Sequence, residues 1–335
     1  DVNARGGLLG RPVELILIDD ESKQSVVSPE YQRFIVEKDL DLVLSPYGTP
    51  LSLAAAEVTG RHGFVLIAAA AAGSTIWERG SENVFGLYAP GDRFLVGFLD
   101  LIAREGMTTL SIIHERNPFN VDVADGVIEW SDDFGVRVLG RHTYDPAVSG
   151  EDGLEATVAH MLAADPDAIV VSTYPPDGYR VLEALRVAED RLPKAIAMTI
   201  TPVHPTFGRR AGAIAEGIFA PSQWEPITRI PFPETLRFIT SFRQYAGTDP
   251  SYHAAAAYAA GRILEKAVSD TGTLEHARLA EYIGRLDSAT IIGRFRVDST
   301  GRQVGHTPML IQWQDGHKQI VYPRSLRTAT PRFGE

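Results

Sequence analysis

Residues 40–61 read LDLVLSPYGTPLSLAAAEVTGR, and residues 64–75 read FVLIAAAAAGST. Each begins as a short apolar run rich in Val, Leu and Ile, the pattern of a strand buried on both faces of a parallel sheet. Each then breaks into small residues, and helical periodicity follows. That is a strand-to-helix turn, and open α/β sheets bind ligands at the carboxyl ends of their strands. Gly48 and the alanines from Ala68 to Ala72 carry almost no side chain, so a small molecule can lie against bare backbone N–H and C=O groups. Thr49, Ser74 and Thr75 add hydroxyls beside helix N-termini, which favour a carboxylate or another electron-rich group. Either turn alone reads as an ordinary tight βα connection with its cap. The two together read as a ligand floor.

The same alternation of strand and helix runs through most of the chain. Strands are expected at 12–20 (PVELILIDD), 83–87, 109–114, 136–141, 167–172, 195–199 and 217–220. Helices are expected between them, including one that starts at Ser28 with Pro29 in its first turn and another over 92–105. Such alternation means βαβ units and parallel sheets, and the units are too many for one comfortable sheet, so two are expected. A Pro-rich aperiodic stretch at 221–233 reads as loop. Three helical patterns follow at 233–246, 251–269 and 274–286, and then two strands, 293–298 and 309–313, around a turn at 298–301.

The chain of 335 residues is long enough for two domains. With 44% hydrophobic and 22% charged residues its composition is globular rather than disordered. A net charge of -11 argues against a nucleic-acid partner and against docking on anionic lipid. No apolar run reaches the length of a membrane span, so no direct membrane insertion is expected. The chain has no cysteine, which removes thiolate chemistry and disulfides. Phosphate loops, dinucleotide fingerprints, zinc-type histidine spacing and nucleophile elbows are all missing from the sequence. No cofactor, no metal and no catalytic residue is therefore expected.

Several strings, in their order and spacing, resemble the periplasmic leucine/isoleucine/valine-binding protein family, the solute receptors of branched-chain-amino-acid-type ABC transporters. They are VNARGGLLGRPVELILIDDES at 2–22, VLSPYGTPLSLAAAEVTGRHGFVLIAAAAAGSTIWERG at 43–80 and LSIIHERNPF at 110–119. Further along come GTDPSYHAAAAYAAGRILEKAV at 247–268, GRFRVDSTGRQVGHTPMLIQWQDG at 293–316 and VYP at 321–323. The resemblance implies an α/β fold of the type I periplasmic binding protein kind: two Rossmann-like lobes with parallel sheets, a three-crossover hinge and an interlobe ligand cleft. Lobe 1 would comprise 1–89 and 222–304, and lobe 2 would comprise 90–221 and 305–335. Family members normally begin about thirty residues earlier, with a central strand, a ligand-contacting loop and most of a first helix, so the resemblance implies that lobe 1 as read here would have a gap in the middle of its sheet.

The family's ligand contacts transfer one at a time. Its lobe-1 contacts fall on Thr49, Ala70 and Ala72, with no hydroxyl at Ala72 where the family has one, and Tyr47, Gly48 and Ala71 beside them join the candidate ligand-binding residues. Its lobe-2 aromatics fall on Phe119 and Tyr174. The family's acid for an amino-acid ammonium should lie within 198–204, where MTITPVH holds Thr199 and Thr201 but no carboxylate. Asp177 is the one nearby carboxylate, and it reads as a cap of its own helix. Trp224, Tyr252 and His253 complete the candidate set.

The function implied is extracytoplasmic solute binding for an ABC permease, without catalysis, by a monomer in the periplasm. An aromatic or other organic acid, or an amide, is favoured over a plain branched-chain amino acid. The alternative in the same fold is a ligand-sensing or regulatory domain of the amide-sensor kind. An α/β enzyme is disfavoured, because no nucleophile–base pair can be assembled from these residues.

Overall fold

The computed structural model describes residues 2–38, 40–78, 80, 83–188, 192–227 and 232–334, with backbone alone at 147–152. Part of the loop expected at 221–233, residues 228–231, lies outside the described residues. The chain forms two compact units, one from Asp1–Pro90 with Pro226–His306 and one from Gly91–Glu225 with Thr307–Glu335. It therefore passes three times from one unit to the other.

Unit 1 opens with α1 (Gln24–Glu37), then β1 (Val43–Leu44), α2 (Thr49–Arg61), β2 (Leu66–Ala68), α3 (Thr75–Glu78) and β3 (Val84–Gly86). The three strands form a parallel sheet in the order β1-β2-β3. Leu51, Leu53, Ala55 and Ala56 of α2 pack with Leu66, Ala68, Ile76, Trp77 and Val84 as the core. The sequence 12–20, expected as a strand, takes no regular secondary structure and pairs with no strand among the described residues. Its backbone is tied at Val13, whose N–H and C=O bond the Asn3 side chain. Leu15 and Leu17 stand 72% and 81% exposed. A period-2 apolar run becomes a strand only when a neighbour takes its backbone groups, and among the described residues no strand does. Helix α1 also starts earlier than expected. The carbonyl of Lys23 takes the amides of Val26 and Val27, which leaves Pro29 inside the helix rather than at its head.

Unit 2 continues with α4 (Val96–Arg104), β4 (Thr109–Glu115), α5 (Pro118–Asp133), β5 (Arg137–Tyr144), α6 (Pro146–Leu162), β6 (Ala168–Ser172), α7 (Asp177–Val187), β7 (Ala195–Met198), α8 (Phe207–Ala211) and β8 (Phe219–Ser222). The 92–105 helix is shortened because 91–93 form a 3-10 turn. Helix α5 has a well-made start. Pro118 sits in its first turn and the Asn117 side chain accepts from the Asn120 amide at 2.9 Å. The expected loop at 221 begins inside β8, where Pro221 is tolerated because β7 reaches β8 only at Ala197–Phe219.

The chain returns to unit 1 for α9 (Thr235–Ala246), α10 (Tyr252–Thr271), α11 (His276–Arg285), β9 (Ser288–Thr290) and β10 (Gly293–Phe295). Ser251 caps α10 by accepting from Ala254, and the buried stripe Ala255, Ala256, Ala259, Ala260, Ile263 and Leu264 follows the helical period. β10 pairs antiparallel with β9 rather than with the strand at 309. That strand, β11 (Met309–Gln314), belongs to unit 2. It forms a hairpin with β12 (His317–Tyr322) through Asp315 and Gly316, both at positive φ. The unit 2 sheet is thus β12-β11-β8-β7-β6-β4-β5, parallel except at β11 and β12.

Candidate functional site

In unit 1 the two strand-to-helix turns are stitched to each other. The Gly48 amide donates to the Ala70 carbonyl at 3.0 Å, and the Ala69 amide donates to Ser45 Oγ at 3.0 Å. The Gly73 amide donates to Thr49 Oγ1, also at 3.0 Å. Gly48 holds φ +84, a backbone state side chains resist, and Gly73 approaches so closely that a Cβ there would lie 2.7 Å from the Thr49 methyl. Thr49 is fully buried, with its hydroxyl oxygen engaged and its hydroxyl hydrogen still to give. Ala71 and Ala72 are buried, and among the described residues no protein acceptor takes their amides.

Beside these turns lies an aromatic chain. Tyr47 meets His253 edge-on with centroids 5.0 Å apart, His253 stacks on Tyr252 at 4.1 Å, and Tyr252 meets Tyr88 at 5.6 Å. Three of these four residues were expected from the sequence. Tyr88 was not, although it sits just beyond the carboxyl end of β3, the same kind of position. Its buried hydroxyl has no partner among the described residues, and burial first and the nearby Tyr47 second push its pKa well up.

In unit 2 the strand order supplies the site. β4 lies between β6 and β5, so the connections leaving β4 and β6 run to opposite sides, which opens a crevice at their carboxyl ends. Glu115 ends β4, Phe119 stands in the first turn of α5, and Tyr174 follows β6. The Phe119 ring lies 5.8 Å from Tyr174 and 5.1 Å from Phe94. Glu115 Oε2 accepts from the Tyr174 amide and from Asn120 Nδ2, each at 3.3 Å. Asp177, expected to be the one nearby carboxylate, pairs with Arg180 at 3.1 Å on its own helix. Glu115 is a second carboxylate that the sequence reading missed. Its signal was its place at the end of an apolar strand, four residues before Phe119.

Thr199 and Thr201 are both fully buried. Thr199 Oγ1 lies 3.3 Å from Ser172 Oγ, which in turn donates to Asn120 Oδ1. The Thr201 amide donates to the Thr199 carbonyl at 2.6 Å, closing a γ-turn around Ile200, which is held at φ 58 and ψ −61. A β-branched residue at positive φ is strained, and such strain collects at ligand sites. Trp224 is fully buried in unit 2, and its carbonyl accepts from Ser222 Oγ. Among the described residues no group of three or more His, Asp or Glu is placed to hold a metal ion.

A sequence model of the periplasmic binding protein family matches residues 1–318. The chain is 22% identical to an amino acid binding protein of Pseudomonas aeruginosa over 328 residues, covering 96% of this chain and 85% of that one. It superposes on an ABC transporter substrate-binding protein of Desulfitobacterium hafniense in complex with Leu at a TM-score of 0.81, with 21% identity, covering 95% of this chain and 91% of that one. It superposes on a solute-binding protein of R. palustris in complex with benzoate at 0.79, with 16% identity, covering 99% and 89%. With its α/β architecture and mostly parallel main sheet, the chain belongs to the periplasmic binding protein family, with the type I fold.

Proposed function

We propose that the chain is the extracytoplasmic solute receptor of an ABC importer, binding a small organic solute without chemical change. Its two units would close on the solute by hinge motion about the three connecting segments, and the closed form would be read by the permease. The receptor would act as a monomer in the periplasm. Among the described residues no helix is long and apolar enough to cross a membrane.

The observation that carries this reading is the pair of prepared half-sites. Unit 1 offers the amides of Ala71 and Ala72 and the Thr49 hydroxyl, donors suited to a carboxylate or amide oxygen. Unit 2 offers the rings of Phe119 and Tyr174 at a strand-order reversal, suited to an apolar or aromatic body. An aromatic or other organic acid, or a neutral amide, fits this division better than a branched-chain amino acid. The segment 198–204 holds no carboxylate. Glu115 is already engaged with Tyr174 and Asn120, and Asp177 with Arg180. An ammonium enclosed there would have to share Glu115, already held through one oxygen by two neutral donors, because the segment offers no carboxylate of its own, and an imperfectly paired buried charge costs free energy.

Among similar proteins, one is solved with Leu and another with benzoate, so likeness admits both classes. Calorimetry with leucine, valine, phenylalanine and benzoate tests the choice. Benzoate-type acids are expected to bind. Micromolar binding of leucine or valine with no response to the acid would overturn the preference.

A further inference from the structure

Wherever the chain passes from one unit to the other, a proline stands at or beside the boundary: Pro90, Pro226 and Pro308. Proline has a fixed φ and no N–H to donate, so the joints are tied down by the residues around them. On the unit 1 side the tie is Gln303, which is 1% exposed. Its Oε1 accepts from the Gly305 amide at 2.8 Å and the Arg296 amide at 3.2 Å, which fixes the loop leading into the third connection. Its Nε2 donates to the Leu87 carbonyl at 3.1 Å, just ahead of Pro90. The same two approaches meet through backbone, where the Gly86 amide donates to the Gly301 carbonyl. The first and third connections therefore leave unit 1 bound to each other.

On the unit 2 side, β8 leads into the second connection and pairs with β11, which follows the third, with Ser222 opposite Met309. Glu225 is 4% exposed; its Oε1 accepts from Ser222 Oγ at 2.8 Å and its Oε2 pairs with Lys318 Nζ of β12 at 2.7 Å. The second and third connections therefore leave unit 2 bound to each other. The first enters unit 2 against α5, where a Cβ on Gly91 would lie 2.6 Å from Asp122 Oδ2 and Phe94 meets Phe119 of the solute face. The third connection is common to both pairs, so none of the three can bend alone while both ties hold. Resting on the reading of the chain as a receptor that closes about these connections, we propose that Gln303 is a positioning residue for solute capture. It acts through the connections, locking the first to the third so that the three joints turn as one axis. With that tie cut, the first connection bends by itself and the units sample more arrangements, of which a smaller fraction is competent to close. Apparent affinity falls with that fraction.

Gln303→Glu is the selective cut, because a carboxylate keeps the two accepted bonds and loses the donor to Leu87. Gln303→Met, similar in length and without polar groups, is the second variant should the first not fold. Asp298→Ala is the control: Asp298 Oδ1 accepts from the Thr300 and Arg302 amides, bonds that stay within the same loop. The chain has no cysteine, so Arg61→Cys on α2 and Glu129→Cys on α5, both exposed, place one spin label on each unit. Pulsed electron paramagnetic resonance then reads the spread of distances between the labels. In the ligand-free protein the Gln303 variants should broaden that spread, while Asp298→Ala should lower the melting temperature and leave the spread as in wild type. Any of leucine, valine, phenylalanine and benzoate that binds wild type should bind the Gln303 variants at least about threefold more weakly in calorimetry. A spread in the Gln303 variants equal to wild type, or an equal broadening in Asp298→Ala, would overturn the assignment and leave hinge closure standing. A wild-type distance that does not move when a bound solute saturates the protein would remove hinge closure and this assignment with it.

Discussion

Thr49 works twice in unit 1, starting α2 and accepting the Gly73 amide from the neighbouring turn. Thr49→Val keeps the shape and deletes the acceptor, leaving a buried N–H unmet. Stability should fall by about 1–3 kcal/mol in urea unfolding. In unit 2, Tyr174→Ala removes ring area from the proposed solute face, and affinity for a bound solute should weaken by about 1–3 kcal/mol in calorimetry. Unchanged affinity would return that ring to a packing role. His276 reports on pH. Its Nδ1 accepts the Val65 amide at 3.1 Å and its ring lies 3.8 Å from Phe64. Burial lowers its pKa against the smaller upward pull of Asp41. The folded chain therefore holds it neutral while the unfolded chain protonates near pH ~6.5. Its contribution is full above that pH and is lost as pH falls below it toward the lower folded value. The melting temperature should drop between pH 7 and 5, and less so in a His276→Asn variant. Residue roles of this kind were partly legible. Thr49, Phe119 and Tyr174 stand where small or aromatic residues follow apolar strands, but Glu115 looks like an ordinary strand end until the fold brings Tyr174 and Asn120 to it.

At the scale of elements, the parallel strands were legible because burial on both faces leaves continuous apolar runs, as in β2 and β6. What failed was pairing. The run at 12–20 has the composition of a strand but no partner among the described residues, and β10 and β11, close in sequence, belong to different sheets. Composition reports what a segment can bury, not which backbone it meets. One close approach in unit 1 shows how tight the fit is where partners do exist. Gly86 of β3 donates to the Gly301 carbonyl at 2.8 Å, and a Cβ on it would lie 2.6 Å from the Trp77 ring. Trp77 cannot easily yield, since its Nε1 donates to the Val84 carbonyl at 3.1 Å. Gly86→Ala should lower stability by about 1–3 kcal/mol through overpacking, read as a lower urea midpoint.

For the whole molecule, closure about three connections predicts a measurable change of size. Saturating solute should lower the radius of gyration in small-angle scattering, and an unchanged curve would remove hinge closure from the proposal. The three crossings carry a further consequence, for the order in which the chain can fold as it is made. Unit 1 has β1 to β3 early, yet it lacks α9, α10, α11, β9 and β10 until residues 226–306 have left the ribosome. Unit 2 has β4 to β8 early but receives β11 and β12 only from Thr307–Glu335, and β8 depends on β11 for most of its pairing. Chains usually fold domain by domain from the N-terminus during synthesis. Here neither unit is complete until the second and third crossings have been made, so both stay open, and available to chaperones, until residues 226–335 have followed.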